Sequence, residues 1–546
     1  MRFRLLILMF LVSVAICNGQ TSAPENWFNL DMGTDKVSGV STERTYSELL
    51  KGKTSETVIV AVIDSGVDPE HEDLKEIMWV NQDEIPNNGI DDDGNGYIDD
   101  IHGWNFIGGK NGNIKEDALE IARLVNKYNK MFKGRDEATL SKKEKKEYKF
   151  YQEIKGKIDK KQEELKQQSA GYMAFAESLN TIKKSLGKED ITLEDLNSFE
   201  TDDEDVKRVA TRIATIMKSE GVSFSDVNGE VQGAANHFGN QMNYLYNPEF
   251  DPRAEIVGDN YSDSYDRNYG NNDVKGPDAA HGTHVAGIIA AVRDNDLGIK
   301  GVADNVRIMS VRAVPDGDER DIDVANAIIY AVDNGASIIN MSFGKSYAWD
   351  KEAVDKAVKY ACKKDVLLVH AAGNDARNTN DGSNFPNDKY KKSGWFKSKT
   401  AKNWIEVGAL SWKTGKDAVA GFSNYGSSQV DLFAPGHHIN STTPDQGYAK
   451  FSGTSMASPV TAGVAAVLRS YFPTLSAKQV KEILMTTVVP QNQKVKKPGS
   501  DDLVSFSELC QTAGVVNTYT AVKKAMVTKG KKKVKKASKK NKMVKP

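Results

Sequence analysis

Three short segments of the chain contain residues that could together cleave a carbonyl compound. Asp64 lies in VIDSGVD, His281 is the first residue of HGTHVAG, and Ser455 stands at the centre of SGTSMASP. A serine hydroxyl is a poor nucleophile, so a histidine has to take its proton during attack and return it to the leaving group. An aspartate beside the histidine fixes the ring tautomer and stabilises the imidazolium. These residue types therefore predict acyl transfer by a nucleophilic serine.

Taken singly, each of these residues has a commoner structural role. Asp64 could cap a turn, His281 could be a buried histidine beside His284, and Ser455 could be a helix N-cap. Their joint presence in three long motifs favours the catalytic interpretation over coincidence.

The segments around these residues alternate between strand and helix patterns. The run TVIVAVIDSGVD, which begins at Thr57, is apolar and β-branched, as is typical of a buried parallel strand. Further strands are predicted in RIMSVRAV, ASIINMS and VLLVHAAGN, and helices in HGTHVAGIIAAV, DIDVANAIIYAVDNG and WDKEAVDKAVKYACKKD. This alternation predicts an α/β fold with a mostly parallel central sheet. Sites in such folds lie at the carboxyl ends of the strands.

Length and composition set broad limits. The 546 residues are 39% hydrophobic and 27% charged, with a formal net charge of −2. These values are typical of a soluble globular protein, and they exclude a wholly disordered chain or a polytopic membrane protein. The length exceeds that of one ordinary domain, so we expect one catalytic domain with additions.

The two ends of the chain differ in character from its middle. Residues 1–19 have the layout of a signal peptide, with arginines before an apolar run and small residues after it. Cleavage after Gly19 predicts a secreted or periplasmic protein with no transmembrane segment in the mature chain, whereas lipidation of Cys17 would anchor a lipoprotein. The lysine-rich residues 529–546 predict a disordered tail, and such a charge run indicates no specific nucleic-acid partner.

A charged helical insertion separates Asp64 from His281. Residues from about 113 to 250 are rich in Lys, Glu, Leu and Ile, and Lys115 to Glu220 contains no proline. This pattern predicts helices, which we expect to form a hairpin that emerges near the catalytic residues. The insertion could be a lid or exosite that restricts substrates, or a solvated appendage.

The three motifs resemble those of the subtilases, the subtilisin-like serine proteases, over residues 57–108 and 250–490. The chain order Asp, His, Ser is that of the family. The resemblance implies a secreted serine endopeptidase with a three-layer fold, acting on protein or peptide substrates without a catalytic cofactor. A catalytically silent binding protein with the same fold is the alternative, and the intact catalytic positions argue against it.

The resemblance also implies roles for further residues. Asn374, at the end of VLLVHAAGN, would polarise the scissile carbonyl, with an ordinary turn asparagine as the alternative. Gly317 would lie on an edge strand that pairs with an extended substrate. The pocket for the residue before the scissile bond, P1, would have two walls, the first formed by Ser342, Phe343 and Gly344 and the second by Ala371, Ala372 and Gly373.

An acidic rim accompanies the predicted edge strand. Its members are Asp316, Asp318, Glu319 and Asp321. Such a rim would favour basic residues upstream of the scissile bond, although surface acids are more often merely solvated.

One acidic loop predicts a structural calcium ion. DDDGNGYIDD places Asp91, Asp93, Asn95 and Asp99 like the first nine positions of a calcium loop, but His102 replaces the final glutamate of an EF-hand. An acidic turn without metal is the alternative, in which the carboxylates would repel one another. The resemblance implies a second calcium site with side-chain ligands Asp73 and Asn295, completed by carbonyl groups of Arg293, Leu297 and Ile299.

The remaining predictions concern cysteines and boundaries. Cys362 and Cys510 could pair, but two unpaired core residues are the simpler interpretation. Residues 20–56 are too short for a propeptide domain, so the enzyme folds unaided or uses them as a strap across the body. The predicted organisation is a leader (1–19), an N-terminal segment (20–56), a peptidase domain (57–490) with the insertion (about 113–250), a C-terminal extension (491–528) and the tail (529–546).

Overall fold

A computed structural model describes residues 22–261, 263–391 and 399–531. The predicted leader with Cys17 and residues 532–546 of the basic tail lie outside the described residues. The strands are β1 (Val58–Asp64), β2 (Gly103–Asn105), β3 (Gly108–Gly109), β4 (Gly112–Asn113), β5 (Val306–Arg312), β6 (Ile338–Met341), β7 (Leu367–Ala371), β8 (Trp404–Leu410), β9 (Leu432–Pro435), β10 (Ile439–Thr443), β11 (Gly447–Phe451), β12 (Val489–Pro490), β13 (Val495–Lys496), β14 (Leu503–Val504) and β15 (Gly514–Val515).

The helices fall into three groups along the chain. The N-terminal segment contains α1 (Met32–Asp35) and α2 (Thr42–Thr45). The insertion contains α3 (Glu120–Phe132), α4 (Lys142–Leu186), α5 (Leu193–Asn197), α6 (Glu204–Glu220) and α7 (Phe224–Asn240), followed by α8 (Arg253–Ile256). The remainder are α9 (Ala280–Ala290), α10 (Asp321–Asp333), α11 (Lys351–Lys363), α12 (Thr454–Tyr471), α13 (Ala477–Thr486) and α14 (Thr518–Met526).

A mostly parallel sheet forms the centre of the fold. Its strand order is β12, β15, β9, β8, β7, β6, β1, β5, β2. The interior strand β1 runs parallel to both of its neighbours, β5 and β6, and β12 joins the edge antiparallel to β15. The α/β architecture predicted from the alternating pattern is therefore confirmed.

Helices cover both faces of this sheet, which explains why β1 reads as a continuous apolar run. Val60 and Val62 belong to the core that contains residues of α9 and α12. Ala61 and Ile63 belong to the core that contains residues of α10 and α11. Successive side chains of a strand point to opposite faces, so a strand buried on both faces needs apolar residues at every position.

The insertion forms more than the expected hairpin. The first half of α4 packs against α3 in a small core that includes Val125, Ile154 and Ile158. The second half of α4 packs with α5, α6 and α7 around Leu179, Ile213 and other apolar residues. The second group is a separate helical bundle, which we call the distal bundle (residues 172–238).

The two terminal segments lie against the peptidase body and against each other. Trp27 is buried, and its indole Nε1 donates to the carbonyl oxygen of His438 at 3.3 Å. The carbonyl of Val40 accepts from the amide of Thr518, at the start of α14, at 2.8 Å. The N-terminal segment is thus a strap across the body, and the segment predicted as a C-terminal extension supplies β15 to the central sheet.

Within the described residues, no helix combines the length and the hydrophobicity needed to cross a bilayer.

Candidate active site

Asp64 and His281 meet at the carboxyl end of β1. Asp64 is the last residue of that strand, and His281 lies in the first turn of α9. Nδ1 of the imidazole lies 2.7 Å from Oδ1 of the carboxylate. A Cβ atom at Gly282 would lie only 2.1 Å from the carbonyl oxygen of Gly66, so glycine in the HG pair lets the helix approach the strand end this closely.

The charge of Asp64 sets the basicity of His281. Burial of the ring lowers the pKa of His281, but the charge of Asp64 and the hydrogen bond between them outweigh burial, so the pKa lies above its usual value. The carboxylate thereby favours the protonated ring that a general base forms during proton transfer.

Ser455 lies at the amino end of α12, clamped to the segment that follows β6. Its hydroxyl donates to the carbonyl oxygen of Ser342 at 3.0 Å. The hydroxyl of Ser342 in turn donates to the carbonyl oxygen of Ser455 at 2.8 Å. Ser455 is the second residue of its helix, where backbone N–H groups have no partner within the helix.

Asn374 is oriented by Thr454, a residue for which sequence reasoning predicted no role. Its Oδ1 accepts from the amide of Thr454 at 2.8 Å and from the Thr454 hydroxyl at 3.0 Å. The amide NH₂ group therefore points away from these contacts. A Cβ atom placed on Gly453 would lie 3.4 Å from Asn374 Nδ2 and 3.5 Å from the amide nitrogen of Ser455, so two donors converge beside the serine.

Two clefts adjoin along residues 342–344. The serine-side cleft, of about 500 Å³, contains Ser455 and Asn374. The histidine-side cleft, of about 400 Å³, contains His281 and Gly317. Of the predicted P1 walls, the structure places Ser342, Phe343, Gly344, Ala371 and Gly373 at the serine-side cleft.

Ala372, also predicted in a P1 wall, lies elsewhere. It is fully buried in a core with Phe433 and Leu410, while its carbonyl accepts from Asn424 Nδ2. Its side chain therefore faces the interior and not the cleft.

Gly317 presents a free backbone edge to the groove. The preceding residue, Asp316, pairs on its other side with the insertion, donating to Lys115 and accepting from Asp117 at 2.7 and 2.9 Å. Backbone groups of successive residues in an extended segment point to opposite sides. Gly317 lines the histidine-side cleft, and no backbone group among the described residues bonds to its N–H or C=O.

Gly344 forms the opposite edge in the same way. Its neighbour Lys345 exchanges two backbone hydrogen bonds with Phe385, both at 2.9 Å. The backbone groups of Gly344 therefore point into the groove, where the described residues offer them no backbone partner. The groove between Gly317 and Gly344 has two open edges that an extended chain could join.

The predicted acidic rim is mostly a buried ion network and not a surface feature. Asp321 pairs with the buried Lys345 at 2.8 Å, and the carboxylate of Asp318 accepts from the amide of Glu120 at 2.8 Å. Glu319 is also buried, and only Asp316 is exposed. The interpretation of these acids as a solvated surface is thus wrong for Asp321 and Glu319.

Buried ion pairs also hold the base of the insertion against the peptidase body. Arg320 binds Asp117 through two contacts, at 2.7 and 3.0 Å. Arg123 of α3 pairs with Glu120, which lies 3.4 Å from Lys345 Nζ. Leu119 and Ile121 then line the serine-side cleft. The insertion reaches this face of the protein as expected, and its base forms a wall of the serine-side cleft.

The acidic loop gathers a different set of carboxylates from the one the motif predicted. Oxygen atoms of Glu84, Asp93 and Asp100 lie within 4.8 Å of one another. Of the predicted ligands, only Asp93 belongs to this group. The other three predicted ligands hold the loop itself. The carboxylate of Asp91 accepts from the backbone amides of residues 95 and 96, and that of Asp99 accepts from those of residues 88 and 89. The side-chain amide of Asn95 donates to Asp93 and Asp100.

The other predicted ligands, Asp73 and Asn295, lie together. Asn295 Nδ2 donates to Asp73 Oδ1 at 2.8 Å. The second calcium site at these residues, with the carbonyl groups named above, stays a prediction. His102, the residue in place of the EF-hand glutamate, contacts the carbonyl oxygen of Trp79 through Nδ1 at 2.8 Å.

The two described cysteines are unpaired. Cys510 is buried as expected, whereas Cys362 is exposed on α11, so the interpretation of both as core residues is wrong for Cys362.

Comparison with known proteins identifies the family of the chain. A family model described as the subtilase family matches residues 55–507. The thermophilic serine proteinase of Bacillus sp. (strain AK1) is 44% identical over 191 residues, which are 35% of this chain and 42% of the relative. Thermitase of Thermoactinomyces vulgaris is 37% identical over 243 residues, 44% of this chain and 74% of the relative.

A solved structure, that of the prenylagaramide maturation protease PagA, is 30% identical and covers 45% of this chain and 82% of that chain, with a TM-score of 0.36. This chain spans less than half the length of the AK1 proteinase but about three quarters of thermitase. Because the family model covers most of its length, the chain belongs to the subtilase family of serine-type endopeptidases.

Proposed function

We propose that this chain is a secreted serine endopeptidase in which Asp64, His281 and Ser455 form the catalytic triad and Asn374 completes the oxyanion hole. The observation that carries the proposal is the convergence of two donors, Ser455 N and Asn374 Nδ2, beside a serine whose cleft adjoins the Asp64–His281 pair. Secretion rests on the leader sequence, and lipidation at Cys17 is the alternative form of export.

The mechanism follows from these positions. The hydroxyl of Ser455 turns from Ser342 towards His281, whose Nε2 takes the proton while Oγ attacks the scissile carbonyl carbon. Asn374 Nδ2 and Ser455 N donate to the oxyanion that forms. The imidazolium then gives its proton to the leaving amine, and the C–N bond breaks. Water, deprotonated by His281, hydrolyses the acyl-enzyme.

Substrate would bind as an added strand in the groove. The free edges of Gly317 and Gly344 support this mode, because each offers a donor and an acceptor to an extended peptide. Side chains of an extended chain alternate, so the P1 side chain would enter the serine-side cleft and the next one upstream, P2, the histidine-side cleft.

A fluorophosphonate probe tests the triad directly. We expect covalent labelling of the full chain and loss of labelling in Ser455→Ala, because only an activated serine attacks the phosphorus. Absence of labelling in the wild-type protein, or labelling that persists in the variant, would favour the catalytically silent binding protein.

We further propose that Glu84, Asp93 and Asp100 hold a structural calcium ion. Carboxylate oxygens are the ligands that Ca²⁺ prefers, and three of them gather here within 4.8 Å. Burial is the main cause that raises the pKa of Asp100 to about 6. A bound cation would counter this rise, because a nearby positive charge favours the carboxylate.

Calcium binding should stabilise the fold. At a hundredfold excess of Ca²⁺ over its Kd, we expect about 2.7 kcal/mol of stabilisation, seen as a higher melting temperature. Asp100→Asn should abolish this shift, whereas Asp417→Asn, at a half-exposed acid elsewhere that pairs with Lys496, should retain it. An unchanged melting temperature in the wild-type protein under titration would refute the proposal.

A further inference from the structure

One carboxyl oxygen in the histidine-side cleft is buried and has no hydrogen-bond partner in the described part of the chain. Glu319 lines this cleft and is only 2% exposed. Its Oε1 is buried without a hydrogen-bond partner among the described residues. A buried carboxylate usually has a cation or several donors nearby, because an uncompensated buried charge is costly.

The nearest cations are already engaged by other groups. Lys345 Nζ donates to the main-chain oxygen of Glu319 at 2.6 Å and pairs with Asp321 at 2.8 Å. Arg123 donates to that same main-chain oxygen at 3.2 Å and pairs with Glu120. Their hydrogen bonds with Glu319 are thus to its backbone, and Oε1 of its carboxyl group stays without a partner among the described residues.

Other charges around the cleft do not compensate Glu319. Arg312 donates to the carbonyl oxygen of Ser65 at 2.8 Å, and Lys115 pairs with Glu116 at 3.1 Å. Burial raises the pKa of Glu319 to about 8, even though the charge of Lys345 opposes that rise. The charge of a cation entering the cleft would oppose this rise and favour the carboxylate form.

The same contacts close one end of the groove. Glu319 lies two residues beyond Gly317 and lines the same cleft, and its backbone carbonyl accepts from Lys345 and Arg123. Because Lys345 and Arg123 occupy that carbonyl, it is not free to pair with a longer substrate. The upstream part of a substrate therefore ends or turns close to the carboxyl group of Glu319.

We propose that Glu319 is a specificity-determining residue that binds a positively charged group of the substrate at P2. This inference rests on the proposed function, which places an extended substrate between Gly317 and Gly344. The charged group is an ammonium or guanidinium, supplied by a lysine or arginine side chain at P2 or by the free amino terminus of a substrate that begins at P2. Both sources present the same chemistry to the carboxylate.

Peptide substrates with one P1 residue and one leaving group distinguish the two sources. In the first pair, an N-acetylated peptide with lysine at P2 is compared with the same peptide carrying ε-acetyl-lysine at P2. In the second pair, a peptide that begins with norleucine at P2 and has a free amino terminus is compared with its N-acetylated form. We expect the wild-type protein to cleave at least one cationic member about tenfold faster, in kcat/KM, than its neutral partner. The pair in which the cationic member is cleaved faster than its neutral partner identifies the source of the cation.

In Glu319→Gln, the kcat/KM values for the two members of that pair should differ by no more than about twofold. Asp316→Asn is the matched control, since it removes an exposed carboxylate from the same cleft and should retain the preference. Equal rates for both pairs in the wild-type protein would overturn the proposal, as would a preference that survives in Glu319→Gln or disappears in Asp316→Asn.

The wild-type comparison needs no variant, so misfolding of Glu319→Gln would not leave the proposal untested. Glu319→Asp, which keeps the charge, then serves as the second variant and should retain part of the preference. Fluorophosphonate labelling separates the two proposals. Labelling of Ser455 with equal cleavage of neutral and cationic peptides contradicts only the role of Glu319. Failure to label Ser455 contradicts the proposed function itself.

Discussion

His281 has to be neutral to accept the proton of Ser455, so its pKa sets the acidic limit of the proposed activity. Asp64 holds that pKa above the usual value of about 6.5. Protonation inactivates the base, so kcat/KM should rise with pH through an apparent pKa above that value. In Asp64→Asn the midpoint should move to lower pH and kcat should fall by about 10⁴-fold. A pH profile with a neutral peptide measures both, and an unmoved midpoint would contradict the role of Asp64.

The contribution of Asn374 depends on its amide NH₂ group, because its Oδ1 is used by Thr454. Asn374→Asp keeps an acceptor for Thr454 and removes the donor. We expect kcat to fall by 10² to 10³, equivalent to about 3 kcal/mol, with little change in KM. Steady-state kinetics on a short peptide measures this split. A variant that changed KM alone would assign Asn374 to substrate binding.

Residue-level patterns predicted the catalytic positions but not the residues that orient them. The motifs around Asp64, His281 and Ser455 are local and carry their own glycines. Thr454 was visible in SGTSMASP, yet only the fold shows that it holds Asn374. The partnerless Oε1 of Glu319 was also beyond the sequence, because the neighbouring Lys345 and Arg123 come from distant segments.

At the scale of elements, buried charges join the insertion to the peptidase body. Lys345 is fully buried between Glu120 and Asp321, so Lys345→Met would leave the buried Asp321 without its cation and leave Glu120 with Arg123 alone. We expect a loss of about 3 to 5 kcal/mol in the free energy of unfolding, measured by urea denaturation. Lys157→Met, which breaks the exposed pair with Glu153, is the matched control and should cost far less. Equal losses in both variants would show that the buried network adds no more to the free energy of unfolding than an exposed ion pair does.

The elements of the central sheet were predictable because burial on both faces imposes a continuous apolar pattern. Strands β1, β5, β6 and β7 and helices α9, α10 and α11 appear where that pattern predicts them. In the insertion, the pattern predicted helices correctly but not their partners. Which helix packs on which is decided by contacts between distant residues, such as those of α4 with α7, and an amphipathic stripe does not encode its partner.

At the scale of the whole molecule, the distal bundle can be separated from the catalytic clefts. Residues 172–238 contain the core of the bundle, and none of them lines either cleft. Ser169 Oγ lies 3.3 Å from Met242 Sδ, so a short Gly/Ser linker can join Gly171 to Gly239. We expect this truncated chain to fold and to cleave a short peptide within about twofold of the full-length rate.

Cleavage rates on folded protein substrates then show what the distal bundle does. A rate that falls for folded proteins but not for the peptide would make the bundle an exosite. Equal rates on both would make it a solvated appendage. A large loss on the short peptide would contradict the separation itself. The deletion has to spare residues 117–123, because Asp117 and Glu120 pair with the buried Arg320 and Lys345.

The sequence by itself determined the α/β fold class, the family resemblance and the positions of Asp64, His281 and Ser455. These are carried by local patterns, namely apolar periodicity and glycines at close approaches. The tertiary structure decided which carboxylates gather as Glu84, Asp93 and Asp100, and which acid remains unpaired in the cleft. The reason is that burial and charge compensation depend on groups far apart in the chain, and no local pattern specifies which of them meet.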